Sequence, residues 1–120
     1  VRWKLTVRVG SKVKRNTFTA VGEALDELEA RALDAARTAP DEVVDAKFKR
    51  FEPAEQVVAR LELAGPERFV PSVRAGVDVR GDGSMEAYRG RVRREVIAAH
   101  GSENPLTALR RTLTQADQAG

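Results

Sequence analysis

The stretch WKLTVRV, Trp3 to Val9, alternates without a fault: Trp3, Leu5, Val7 and Val9 fall on one side, Lys4, Thr6 and Arg8 on the other. A period of two belongs to a β-strand and cannot be wound into a helix with one apolar face. A strand that is apolar on one side and charged on the other also implies an antiparallel sheet with one face covered and one face in water. The chain must therefore supply both the neighbouring strands and a covering layer.

The neighbour follows at once. Gly10 and Ser11 link Val9 to KVKRNTF, and a two-residue link with glycine is the signature of a tight β-hairpin. The cover is written at the two ends of the chain. From Ala20 to Arg37 the apolar residues Val21, Leu25, Leu28 and Ala32 recur at helical spacing; Thr19 is the expected N-cap, and Pro40 lies just past the end. Near the C-terminus Asn104 is the expected N-cap, Pro105 takes the first helical position, and Leu106, Leu109 and Leu113 make a second stripe. The last residues, from Thr114, read as a tail that frays.

Between the helices the pattern gives strands. Val43 to Phe51 and Gln56 to Ala64 read as two, joined across Glu52–Glu55, the second with Val57, Ala59, Leu61 and Leu63 inward. The segment around Pro66 and Pro71 reads as an irregular crossing. Val73, Ala75, Val77 and Val79 then alternate into the turn RGDGS, and a long strand from Met85 to Ile97 closes a hairpin at Gly81–Ser84. Residues 85–100 also fit a helix, through Met85, Tyr88, Val92, Val96 and Ala99; Gly90 and the turn chemistry favour the strand. The fold class that results is α+β: a two-layer domain with a mostly antiparallel sheet of about six strands, in ββα-ββ-ββα order, and two helices on one face. Its 120 residues suit a single domain over residues 1–116 with a frayed tail at 117–120. The expected core includes Trp3, Leu5, Val7, Leu25, Leu28, Leu61, Val77, Leu106 and Leu109.

Composition removes several classes of function. Cysteine is absent, so neither disulfides nor thiolate sites exist. The single histidine, His100, stands beside Gly101 and reads as a surface or capping residue. No spacing assembles a nucleophile with its base, a metal-ligand cluster or a phosphate-cradling loop; Asp78, Asp82 and Glu86 lack the ligand order of a calcium loop. The expectation is a protein that is not an enzyme and has no metal and no cofactor. With no apolar run approaching a membrane span and no apolar leader at the start, a cytoplasmic location is expected. Arg80-Gly81-Asp82 matches an adhesive triplet, but turn chemistry already accounts for its glycine and aspartate.

The informative feature is charge. Net charge is only +3, yet alternation assigns Arg2, Lys4, Arg8, Lys12, Lys14, Lys47, Lys49, Arg60, Arg74, Arg80, Arg89, Arg91 and Arg93 to the open face of the sheet. Asp45, Glu62, Asp78 and Glu95 oppose them. The first helix shows the reverse, with Glu23, Asp26, Glu27, Glu29 and Asp34 against Arg31 and Arg37. A basic face of this kind suits the phosphates of duplex nucleic acid, with Arg2, Lys4, Arg8, Lys12, Lys14, Arg74, Arg80, Arg89, Arg91 and Arg93 as candidate contacts. Single strands are less suited, because alternation puts Trp3 and Tyr88 on the core side and leaves only Phe51 for stacking. The alternative is a protein-interaction or assembly domain whose sheet face is merely solvated, its long charged side chains guarding against edge pairing, with a sheet edge or the apolar segment at Phe69 and Val70 as the contact.

The stretch RWKLTVRVGSKVKRNTFTAVGEALDELEA, about a quarter of the chain, resembles the end of an arm-type DNA-binding domain of tyrosine recombinases, in which a hairpin reaches Phe-Thr and a helix with an early Glu-Ala pair follows. That family's preceding strand and its catalytic domain are not matched. The resemblance implies that a basic hairpin of this design can sit in a DNA groove.

Overall fold

A computed structural model of the chain describes residues 2–40, 44–46, 49–66, 73–90 and 93–119, and gives the backbone alone for 44–46, 49–51 and 119. The strands are β1 (Trp3–Val9), β2 (Lys12–Phe18), β3 (Val44–Ala46), β4 (Lys49–Phe51), β5 (Val57–Ala64), β6 (Arg74–Arg80), β7 (Met85–Arg89) and β8 (Glu95–Val96). The helices are α1 (Val21–Arg37) and α2 (Pro105–Ala119). Six strands form one antiparallel sheet in the order β2-β1-β5-β6-β7-β8, and β3 and β4 pair apart from it. Both helices pack against the sheet, which makes the α+β two-layer fold that the alternation implies.

The core lies between sheet and helices. Trp3, Leu5 and Val7 of β1 meet Leu61 and Leu63 of β5, Val77 and Val79 of β6, Leu25 and Leu28 of α1, and Leu106, Leu109 and Leu113 of α2 in one cluster. All nine residues expected in the core are buried. Two turns set its register. Gly10, at φ 59°, closes the first hairpin so that Val9 stands opposite Lys12. Gly83, at φ 85°, helps close the turn from Arg80 to Ser84 so that Val79 stands opposite Met85.

Several local expectations need correction. Thr19 does not cap α1; the N-cap is Ala20, which has no side-chain acceptor to offer. Asn104 does cap α2: its side-chain oxygen accepts from the Thr107 amide at 3.0 Å, while its own amide donates to the Thr107 hydroxyl at 2.9 Å. That helix runs on through Thr114–Ala119, the stretch expected to fray. The single strand expected over Val43 to Phe51 is instead β3 and β4, paired with Ala46 opposite Lys49. The reason is topological: β1 and β6 occupy both edges of β5, so the preceding segment finds no edge there.

The long strand expected from Met85 to Ile97 ends at Arg89. Gly90 turns the chain at φ 103°, and β8 folds back on β7 with Tyr88 opposite Val96 and Arg89 opposite Glu95. The helix alternative for this region is not adopted. A side chain at Gly90 could not be accommodated, since its Cβ would lie 2.1 Å from the Arg93 carbonyl oxygen.

Candidate nucleic-acid interface

Registers decide which charges share a face. Directly opposite residues project to the same side, and the row Arg8–Arg60–Asp78–Glu86 crosses four strands on the face away from the helices. The next row is Arg15–Thr6–Glu62–Gly76–Tyr88–Val96, and Thr17–Lys4–Ala64–Arg74 follows. Lys4, Arg8, Arg74 and Arg80 therefore lie on the open face as expected, and Arg2 continues the line of Lys4.

Six of the expected placements are wrong. Lys12 and Lys14 stand opposite Val9 and Val7, so they project to the helix side, where both are exposed. Arg89 stands opposite Ala75 and also projects to the helix side, together with Glu95. Arg93 is not in a strand at all but in the turn after Gly90. Tyr88, expected in the core, is on the open face opposite Gly76. Arg91, Lys47, Phe69 and Val70, and the side chains of Asp45, Lys49 and Phe51, lie outside the described residues.

The open face divides into two electrostatic halves. On β5 to β8 nearly every cation has an acid. Asp78, 6% exposed, accepts from Arg60 Nε at 2.8 Å and faces Arg94 Nη1 at 3.4 Å. Arg74 is 3.6 Å from Glu62, and Arg80 is 3.3 Å from Glu86. Its hydrogen bond to Asp78 raises the Arg60 pKa further above its ordinary value, against some opposition from burial. Arg94, which alternation missed, lies with its guanidinium carbon 3.5 Å above the Tyr88 ring centroid. Burial then raises the pKa of the Tyr88 hydroxyl, the neighbouring Glu62 adding to the effect and Arg94 opposing it.

On β1 and β2 the situation is reversed. Residues 2–22 contain Arg2, Lys4, Arg8, Lys12, Lys14 and Arg15 and no acid, since the first carboxylate is Glu23. Among the described residues none of these six makes an ion pair, and all six are exposed. Arg15 was missed as a candidate although the hairpin's length reveals it: a two-residue turn that sets Val9 against Lys12 must set Thr6 against Arg15.

The acidic helix layer is weaker than its sequence suggests. Arg110 of α2 reaches Asp26 at 2.7 Å and Glu29 at 3.3 Å, while Arg31 and Arg37 pair with Glu27 and Asp34 within α1. The Arg80-Gly81-Asp82 triplet is engaged in its own turn: the Asp82 carboxylate accepts from the Ser84 hydroxyl and amide, and these bonds lower its pKa. Among the described residues no three His, Asp or Glu side chains gather where they could hold a metal ion, and no helix is long and apolar enough to cross a membrane. No family model, curated protein or solved structure matches the chain, so the likeness of residues 2–30 to an arm-type domain rests on its hairpin-and-helix pattern alone.

Proposed function

We propose that the protein is a non-catalytic binding module that lies on the backbone of duplex nucleic acid through the β1–β2 hairpin. The observation that carries this is the run of six exposed cations that contains no acid and makes no ion pair among the described residues. A guanidinium already held by a carboxylate must give up that partner before it can bind a phosphate; an unpaired one has no such cost. Arg2, Lys4, Arg8 and Arg15 share the open face, so a duplex laid on it meets four free cations. Phosphate contacts of this kind position the protein without reading bases. Among the described residues the aromatic side chains are otherwise engaged, Trp3 in the core, Tyr88 beneath Arg94 and Phe18 against the core, which disfavours single-strand stacking.

Binding of a random-sequence duplex across a salt series tests the reading. Four neutralised phosphates give a slope of log affinity on log salt near about −3.6, and the triple variant Lys4→Gln/Arg8→Gln/Arg15→Gln should flatten it by up to about 2.7. The pair Arg74→Gln/Arg80→Gln should leave the slope nearly unchanged. A second reading has its own observation: β2 is the open edge of the sheet, so its cations could serve only to prevent strand addition. Duplex binding that ignores salt, or a triple variant that binds like the parent, would favour that assembly-module reading.

A further inference from the structure

Two of the arginines expected on the phosphate face, Arg89 and Arg93, converge elsewhere. Arg74, Arg89 and Arg93 line a groove of about 680 Å³ between α2 and the ends of β6 and β7, joined by Arg111 of α2. It lies at the opposite end of the sheet from the β1–β2 hairpin and does not depend on the hairpin's function. Its size is that of sites that hold small molecules.

The groove has two chemical parts. Ala75 and Leu113, both buried core residues, form its floor, with Val73 and Ala116 beside them. Arg89, Arg93 and Arg111 line it against the single carboxylate of Glu95, and Arg74, whose guanidinium reaches Glu62 at 3.6 Å, lies at its edge. Arg89 is held by Glu95 at 3.4 Å, and Arg111 by Glu103 at 3.0 Å. Arg93 is exposed and makes no ion pair among the described residues. Among the described residues the Nε of Arg74 is buried without a hydrogen-bond partner.

We infer that this groove binds a small organic anion with an apolar body and a carboxylate head. The body covers the half-exposed Val73 and Ala116 that rim the groove, and the head takes the Arg93 guanidinium, whose planar fork matches a carboxylate. Neither part suffices alone: an inorganic anion leaves Val73 and Ala116 in water, and a neutral chain leaves the arginines unanswered.

Octanoate, octanol and inorganic phosphate are the probes, read by amide chemical shifts of the intact chain. Octanoate should produce saturable shifts centred on Val73, Ala75, Leu113 and Ala116. Octanol and phosphate at equal concentration should not saturate these positions. Arg93→Gln removes the free cation without breaking an ion pair, so it should leave the melting temperature unchanged and weaken octanoate about tenfold. Octanol binding as well as octanoate, shifts scattered away from the groove, or parental affinity in the Arg93→Gln variant would each overturn the assignment. A hairpin triple variant should bind octanoate like the parent, which separates this site from the nucleic-acid reading.

Discussion

Tyr88 can occupy the open face of the sheet because the residue opposite it, Gly76, has no side chain. A Cβ on Gly76 would stand 2.7 Å from the Tyr88 hydroxyl and 2.2 Å from the Leu61 carbonyl oxygen. Gly76→Ala should therefore destabilise the fold by about 1–3 kcal/mol in urea unfolding, and adding Tyr88→Ala should not rescue it, because the carbonyl clash is backbone. The ring's burial has a second consequence. Tyr88 is the only tyrosine, so tyrosinate absorbance reports its ionisation alone. Its pKa is raised in the folded state by burial, so the folded chain holds the proton longer than the unfolded chain. The stability associated with that proton is complete below about pH 10 and is lost as pH rises through the folded pKa. The titration midpoint should lie above that of free tyrosine in the native protein and return to it in urea; equal midpoints would remove the ring from its buried setting. Asp78 anchors the same cluster. Asp78→Ala should cost about 1–3 kcal/mol, less than for a fully enclosed pair because both guanidiniums reach water.

At the scale of elements, caps and turns account for what alternation alone misassigned. Ala20 has an extended backbone at φ −121° and ψ 140°, and its carbonyl accepts the Ala24 amide at 3.2 Å, but it leaves the first-turn amides of α1 without a side-chain acceptor. Ala20→Ser should add about 1 kcal/mol of stability by thermal or urea unfolding. The strands whose faces were legible, β1, β6 and β5 from Ala59 onward, carry apolar residues at every second position, so their register follows from their composition; Val57, expected inward, is exposed opposite Arg80 beyond a bulge, and Val58 packs against the core instead. In β2 and β7 charged and apolar residues compete for either face, and the turns decide instead. Counting from Val9 and Val79 through their short turns would have placed Lys12, Lys14, Arg89 and Tyr88 correctly. The return of β8 could not be counted this way, because it depends on Gly90 taking a positive φ that nothing in a run of arginines announces. Gly90→Ala should detach β8, seen as fast exchange of the Ile97 amide that donates to Ala87, while the β6–β7 amides stay protected. Retained protection at Ile97 would show that the turn tolerates a side chain.

Across the whole molecule, the layers were legible because both helices and the central strands bury one apolar face each, and that pattern has a single compact solution. The distribution of free charge was not, because ion pairs join residues distant in sequence: Arg60 meets Asp78, and Arg110 meets Asp26. Pairing divides the cations into two populations with opposite expected roles. Those of β5 to β8 hold the sheet and its turns together; those of β1 and β2 have no ion-pair partner among the described residues and repel one another. Replacing Lys4, Arg8 and Arg15 by glutamine should therefore change unfolding stability by no more than about 0.5 kcal/mol while weakening duplex binding. Replacing Arg60 and Arg94 should do the opposite: Asp78 would lose its partners in a buried position, lowering stability by about 1–3 kcal/mol while the salt slope of binding stays that of the parent. Measured together, stability and salt slope should separate along the sheet. If both variants lost binding in proportion to lost stability, the hairpin would have no electrostatic role of its own, and its charges would belong with the defences of an open sheet edge.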